Sequence, residues 1–84
     1  MYRLIFTPRA KKRLKEISKK NHQIAVALVI EDIKEDPYIG KILKRELNNR
    51  FVYRVGVYRI IYKIYEKEKK IEVISVGHRS VVYN

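Results

Sequence analysis

The sequence predicts an α+β fold, a helical hairpin packed on one face of a mostly antiparallel four-stranded sheet in the order β-α-α-β-β-β. Three observations lead to it. Stretches of period-two alternation open the chain and fill its last third. Two stretches of helical spacing lie between them, joined by a short polar link. An 84-residue chain with 46% apolar residues has room for one domain with one core, so residues 1–84 read as a single unit without repeats or linkers.

The first strand is expected over residues 2–6. Thr7 then offers a hydroxyl N-cap and Pro8 occupies the first helical position, which together start a helix. Ala10, Leu14 and Ile17 recur on one side of it, with Lys11, Lys12, Arg13 and Lys15 on the others. Lys19-Lys20-Asn21 breaks it, and Asn21 is placed to cap a second helix over residues 22–35. That helix is apolar on nearly all sides across residues 24–30, so most of it should be covered. Asp36-Pro37 ends it, because a residue before proline is pushed out of the helical region. Residues 38–49 read as irregular, with Ile42, Leu43 and Leu47 as anchors to the core. Strands are expected at 50–55, 57–65 and 71–77, with a tight turn at Gly56 and a charged loop over 66–70.

The totals narrow the function. Twenty Lys and Arg against nine Asp and Glu give a net charge of +11. Such an excess costs stability through self-repulsion and points to a polyanionic partner: nucleic acid, an anionic membrane surface, or an acidic protein that neutralises the chain. Without cysteine there is neither a disulfide framework nor a thiolate metal site, and two histidines make an all-protein zinc cage improbable. No cofactor or metal is expected. The opening residues are too short an apolar run for a secretion signal, and the longest run, 24–30, falls far short of the roughly 20 residues of a membrane helix. The expectation is a cytoplasmic protein without a membrane partner.

Strand alternation organises the candidate site. Tyr58, Ile60, Tyr62 and Ile64 share the face expected to meet the helices, and Arg59, Ile61, Lys63 and Tyr65 share the other. Val52, Arg54 and Gly56 alternate together, with Arg50 in the same phase. In the last strand Ile71, Val73, Ser75, Gly77 and Arg79 are expected on one face. Arg54, Arg59 and Arg79 then project away from the helices, where planar guanidinium groups can hold a phosphate by paired hydrogen bonds. The alternative is a solvated sheet face whose arginines shield apolar strands. Tyr83 either meets a nucleotide or packs back on the sheet. His78 alternates to the helix side, which favours a partly covered structural histidine over a catalytic one. His22, at a helix start, reads as a surface residue.

The segment Tyr53-Arg54-Val55-Gly56-Val57-Tyr58-Arg59-Ile60-Ile61-Tyr62, followed by Gly77-His78-Arg79 and Tyr83, resembles the RelE branch of the RelE/ParE toxin superfamily. The resemblance runs through the whole chain, including Thr7-Pro8, Asp36-Pro37-Tyr38 and Leu43-Lys44. It implies the toxin of a type II toxin–antitoxin system: an endoribonuclease that enters the ribosomal A site, cleaves mRNA there and is neutralised in a heteromeric complex by a RelB-like antitoxin. The ParE side of the superfamily, which poisons a topoisomerase, and a weakened member that only binds its antitoxin are the alternatives. By the resemblance Arg59 stabilises the scissile phosphate, Arg79 assists the leaving group and Tyr83 stacks on or orients the nucleotide, while Arg50, Arg54, Lys63 and His78 are the further RNA-contact candidates. Val52 departs from the family at a position where relatives often carry a basic residue, which leaves the general base unassigned. Val57, where an acidic residue is common, and Asn84 directly after Tyr83 are further departures.

Overall fold

A computed structural model describes residues 2–42 and 50–78. Arg79 and Tyr83, and the proposed anchors Leu43 and Leu47, lie outside the described residues. Strand β1 is Arg3–Phe6, helix α1 Pro8–Lys15, helix α2 Lys20–Glu35, and β2 to β5 are Lys41–Ile42, Arg50–Val55, Tyr58–Tyr65 and Lys70–His78. A single 3-10 turn, Pro37–Ile39, links α2 to β2. The sheet has five strands in the order β1-β5-β4-β3-β2, with β1 parallel to β5 and the other pairs antiparallel. The fold class is the expected one. The strand count is not, because β2 forms inside the stretch read as irregular.

Thr7 does more than start α1. Its Oγ1 accepts from the Ala10 N–H at 3.0 Å, as an N-cap should, and donates to the Ile74 carbonyl at 2.8 Å. The Thr7 N–H adds a bond to the Val73 carbonyl at 3.1 Å. The turn from β1 into α1 is thereby tied to the middle of β5.

That point in β5 is irregular. Ile61 pairs with Ser75 but Tyr62 pairs with Val73, so Ile74 is the extra residue of a bulge. The bulge reverses the phase of the strand. Ile71 and Val73, opposite Ile64 and Tyr62, are buried under the helices, as is Val76 opposite Ile60. Ser75 and Gly77 turn the other way. The continuous alternation expected from Ile71 to Arg79 is therefore corrected: Ile71 and Val73 belong to the core, and Ser75 and Gly77 face away from it.

The core joins Ala10 and Ile17, Val26, Ile30 and Ile33 of α2, and Phe51, Ile60, Tyr62, Ile64, Ile71, Val73 and Val76 of the sheet. Helix α2 is less covered than its composition suggests. Only every third or fourth residue is buried, and Ile24 and Leu28 are 52% and 61% exposed. Its N-cap is Lys19, which makes no side-chain capping bond, rather than Asn21. Ile42 is 62% exposed and does not anchor the chain to the core.

Tyr62 fixes the link into β2. Its hydroxyl, buried beneath the 3-10 turn, donates to the Pro37 carbonyl at 2.7 Å and accepts from the Gly40 N–H at 3.1 Å. Burial pushes its pKa up to about 12. A Cβ at Gly40 would run into that hydroxyl and lie 3.0 Å from the Val52 carbonyl oxygen, so glycine is needed there for close approach.

Candidate nucleic-acid interface

Because both helices sit on one side, strand register defines what the other side presents. Directly paired residues project to the same face. Arg54 pairs with Arg59, and Arg59 with Gly77. Below that row, Lys41, Val52, Ile61 and Ser75 lie side by side across β2 to β5. The next row runs Arg50, Lys63, Glu72 and Ile5, and the last Tyr65, Lys70 and Arg3. The open face is thus a grid of seven cations around an apolar centre, with Glu72 as the single acid of these rows.

Two of its pairs, Arg54 with Arg59 and Arg50 with Lys63, set like charges directly across neighbouring strands. Such pairs destabilise a sheet by several tenths of a kcal/mol or more, roughly the size of the gain from opposite charges. Their centre is dry: Ile61 is 4% exposed although it faces away from the helices. The Nε of Arg50 is buried and makes no hydrogen bond among the described residues. Cations held at short spacing over a desolvated floor attract an anion strongly, since the low local dielectric strengthens each contact.

Tyr65 lies at the lower margin of the grid. Its ring is flanked by Lys63 Nζ at 5.2 Å and Lys70 Nζ at 4.9 Å from the centroid. Its hydroxyl donates to Glu72 at 2.8 Å, and that bond holds its pKa above the ordinary tyrosine value. Glu72 is thereby tied to the lower margin of the open face.

The structure brings Arg50, Arg54, Arg59 and Lys63 together on this face, where alternation puts them. His78 is elsewhere: it pairs with Tyr58, on the helix side of β5, with ring centroids 6.2 Å apart. It is exposed at the strand end rather than covered. His22 is half-buried instead of a free surface residue, with Nδ1 3.2 Å from the Tyr58 hydroxyl. Sequence reasoning missed Lys41. Its signal was the run Gly40-Lys41-Ile42 beside a tight break, too short to announce a strand. Among the described residues no three His, Asp or Glu side chains converge as a metal site would need, and no helix is long and apolar enough to cross a membrane.

Comparison with known proteins places this architecture. Residues 4–83 match the family model described as the ParE toxin of a type II toxin–antitoxin system, parDE. The chain belongs to that family, within the RelE/ParE superfamily of type II toxins. It is 30% identical to Toxin RelG of Mycobacterium tuberculosis over 83 residues, covering 98% of this chain and 95% of the relative. The crystal structure of the toxin–antitoxin complex RelBE2 from the same organism superposes with a TM-score of 0.79 at 30% identity, over 93% of this chain and 98% of that one. The intact RelBE toxin–antitoxin complex of Escherichia coli shares the fold, with a TM-score of 0.81 at 23% identity over 93% and 96% of the two chains.

Proposed function

We propose that this toxin is a ribosome-dependent endoribonuclease that cleaves mRNA in the A site and so inhibits translation in the cytoplasm. The observation that carries the reading is the cation grid on the sheet face away from the helices, with two like-charged pairs directly across strands. An arrangement that costs stability in the free protein is relieved when a polyanion binds it.

The chemistry requires little besides positioning and charge. The 2′-hydroxyl of one ribose attacks the adjacent phosphorus, its proton leaves, and the 5′-oxygen of the next nucleotide departs with a proton, giving a 2′,3′-cyclic phosphate and a 5′-hydroxyl. Arg59, in mid-sheet beside Arg54, is assigned to the negative charge that grows on the non-bridging oxygens, where a planar fork makes two bonds at once. Arg79 and Tyr83 keep the roles that the family resemblance gives them, on the leaving group and the nucleotide. Arg50, Arg54 and Lys63 hold neighbouring phosphates, and His78 approaches the RNA only from the rim of the sheet. Arginine stays protonated and is a poor base, so alignment of the 2′-hydroxyl by the ribosome-bound substrate supplies much of the rate.

A RelB-like antitoxin is the proposed protein partner, since solved relatives are toxin–antitoxin complexes. The description of the matching family supports a second reading, a ParE-like poison of a topoisomerase. One comparison separates the two. Arg59→Ala should abolish mRNA cleavage on ribosomes and leave the fold unchanged, while Arg59→Lys retains part of it. Intact mRNA together with altered DNA supercoiling on expression of the wild type would favour the ParE reading.

A further inference from the structure

We infer that the β2–β3 edge of the sheet carries a base pocket, a subsite that takes one nucleotide of the RNA bound on the open face. A cavity of about 200 Å³ is lined by Ile39, Gly40, Lys41, Val52, Tyr53 and Arg54. It is smaller than the roughly 300–1,000 Å³ of sites for drug-sized ligands, which suits a single planar ring. The inference rests on the RNA-binding reading above and gives that face a second point of recognition.

Four features fit a nucleotide. The pocket opens between two exposed cations, Lys41 and Arg54, both on the open face by register. Among the described residues no acidic side chain lines it, and the two charged ones that do are both cations. Its inner wall is apolar, from Ile39 and Val52, with Tyr53, packed against the core, closing it behind, and such a wall suits the flat face of a base. Finally, β2 stops at Lys41, opposite Val52, so among the described residues Tyr53 to Val55 have no strand partner on that side. A base laid along that side would bring its edge to the backbone of β3.

The pocket is also built before the ligand arrives. Its outer rim is the segment from Ile39 to Lys41, and the Tyr62 hydroxyl clamps that segment through Pro37 and Gly40. The bare Gly40 allows the rim to lie close against Val52. A rim fixed in advance loses little entropy on binding. Lys41 further places an amine beside Val52, where the row would otherwise hold only apolar and small side chains.

The test combines two measurements on the full chain. Isotope-labelled protein is titrated with 5′-UMP, 5′-AMP and inorganic phosphate while its amide resonances are followed. Binding of a hexaribonucleotide is then measured for wild type, Lys41→Ala, Lys41→Arg and Arg59→Ala across a salt series. Either nucleotide should move the Gly40, Lys41, Tyr53 and Arg54 amides together, whereas phosphate should leave Gly40 and Tyr53 in place. Lys41→Ala should weaken hexamer binding about three- to tenfold and lower the salt slope by about one, and Lys41→Arg should restore both. Nucleotide shifts identical to those of phosphate would overturn the pocket. So would wild-type affinity in Lys41→Ala while Arg59→Ala is weakened, a result that leaves the RNA-binding reading standing. A wild type that binds no RNA at all would remove both.

Discussion

Replacing Tyr62 by phenylalanine removes one oxygen atom and should destabilise the whole domain. That oxygen donates to the Pro37 carbonyl and accepts from the Gly40 N–H, in a side chain with no exposed surface. Each backbone group left buried without a partner costs about 1–3 kcal/mol. Gly40 is half-buried and can recruit water, so the sum falls toward the low end for two such groups, about 2–3 kcal/mol. In a domain of this size 1 kcal/mol shifts Tm by about 4–8 °C, so Tyr62→Phe should melt roughly 8–24 °C below wild type. Urea unfolding should give a lower midpoint with an unchanged slope. The pH dependence is a second signature. Tyr62 has a folded pKa raised to about 12 from an ordinary 10.0, so its contribution is complete below pH 10 and is lost as pH rises through 12. The stability gap between the two proteins should therefore narrow over that interval. Tyr38 and Tyr65, raised chiefly by their hydrogen bonds to Glu66 and Glu72, lose stability there in both proteins and cancel from the difference. A loss below about 0.5 kcal/mol, the usual range of surface substitutions, would refute the clamp.

Other expectations follow from the same geometry. Gly40→Ala should destabilise by about 1–3 kcal/mol, because its Cβ meets the buried Tyr62 hydroxyl and the Val52 carbonyl, and its melting curve would show this directly. Thr7→Ala removes both the N-cap of α1 and the bond to Ile74 at the bulge, and should cost about 2 kcal/mol in urea unfolding, whereas Thr7→Ser should recover most of it. Arg54→Ala should relieve the repulsion with Arg59 and leave Tm equal or slightly higher while RNA affinity falls, so a clear loss of stability would show that Arg54 serves the fold.

Much of the site was legible because strand alternation is local. The spacing of Arg50, Arg54, Arg59 and Lys63 fixes their common face once β3 and β4 are joined by the short turn at Gly56, and the register bears this out. What escaped depends on contacts distant in sequence. The bulge at Ile74 is tied to Thr7, 67 residues away, and no pattern within β5 marks it. Two residues are too few for periodicity, so β2 emerges only through pairing with β3 and the reach of Tyr62 to Gly40. Most of helix α2 is expected to be covered because composition does not say how many neighbours a helix has. With the sheet on one side only, Ile24 and Leu28 remain open. His22 could not be placed without knowing that the start of α2 lies over Tyr58.

Action on RNA by the basic face away from the helices can be measured directly. The most direct test is single-turnover cleavage of mRNA in programmed ribosome complexes, read by primer extension, with wild type and Arg59→Ala compared at equal concentration and on naked RNA. Expected are cuts within the A-site codon for the wild type, little cutting of naked RNA, and a loss for Arg59→Ala of about a hundredfold or more, the scale of removing one group that stabilises transition-state charge. Uncut mRNA on ribosomes with the wild type, or equal cleavage by wild type and Arg59→Ala, would contradict it.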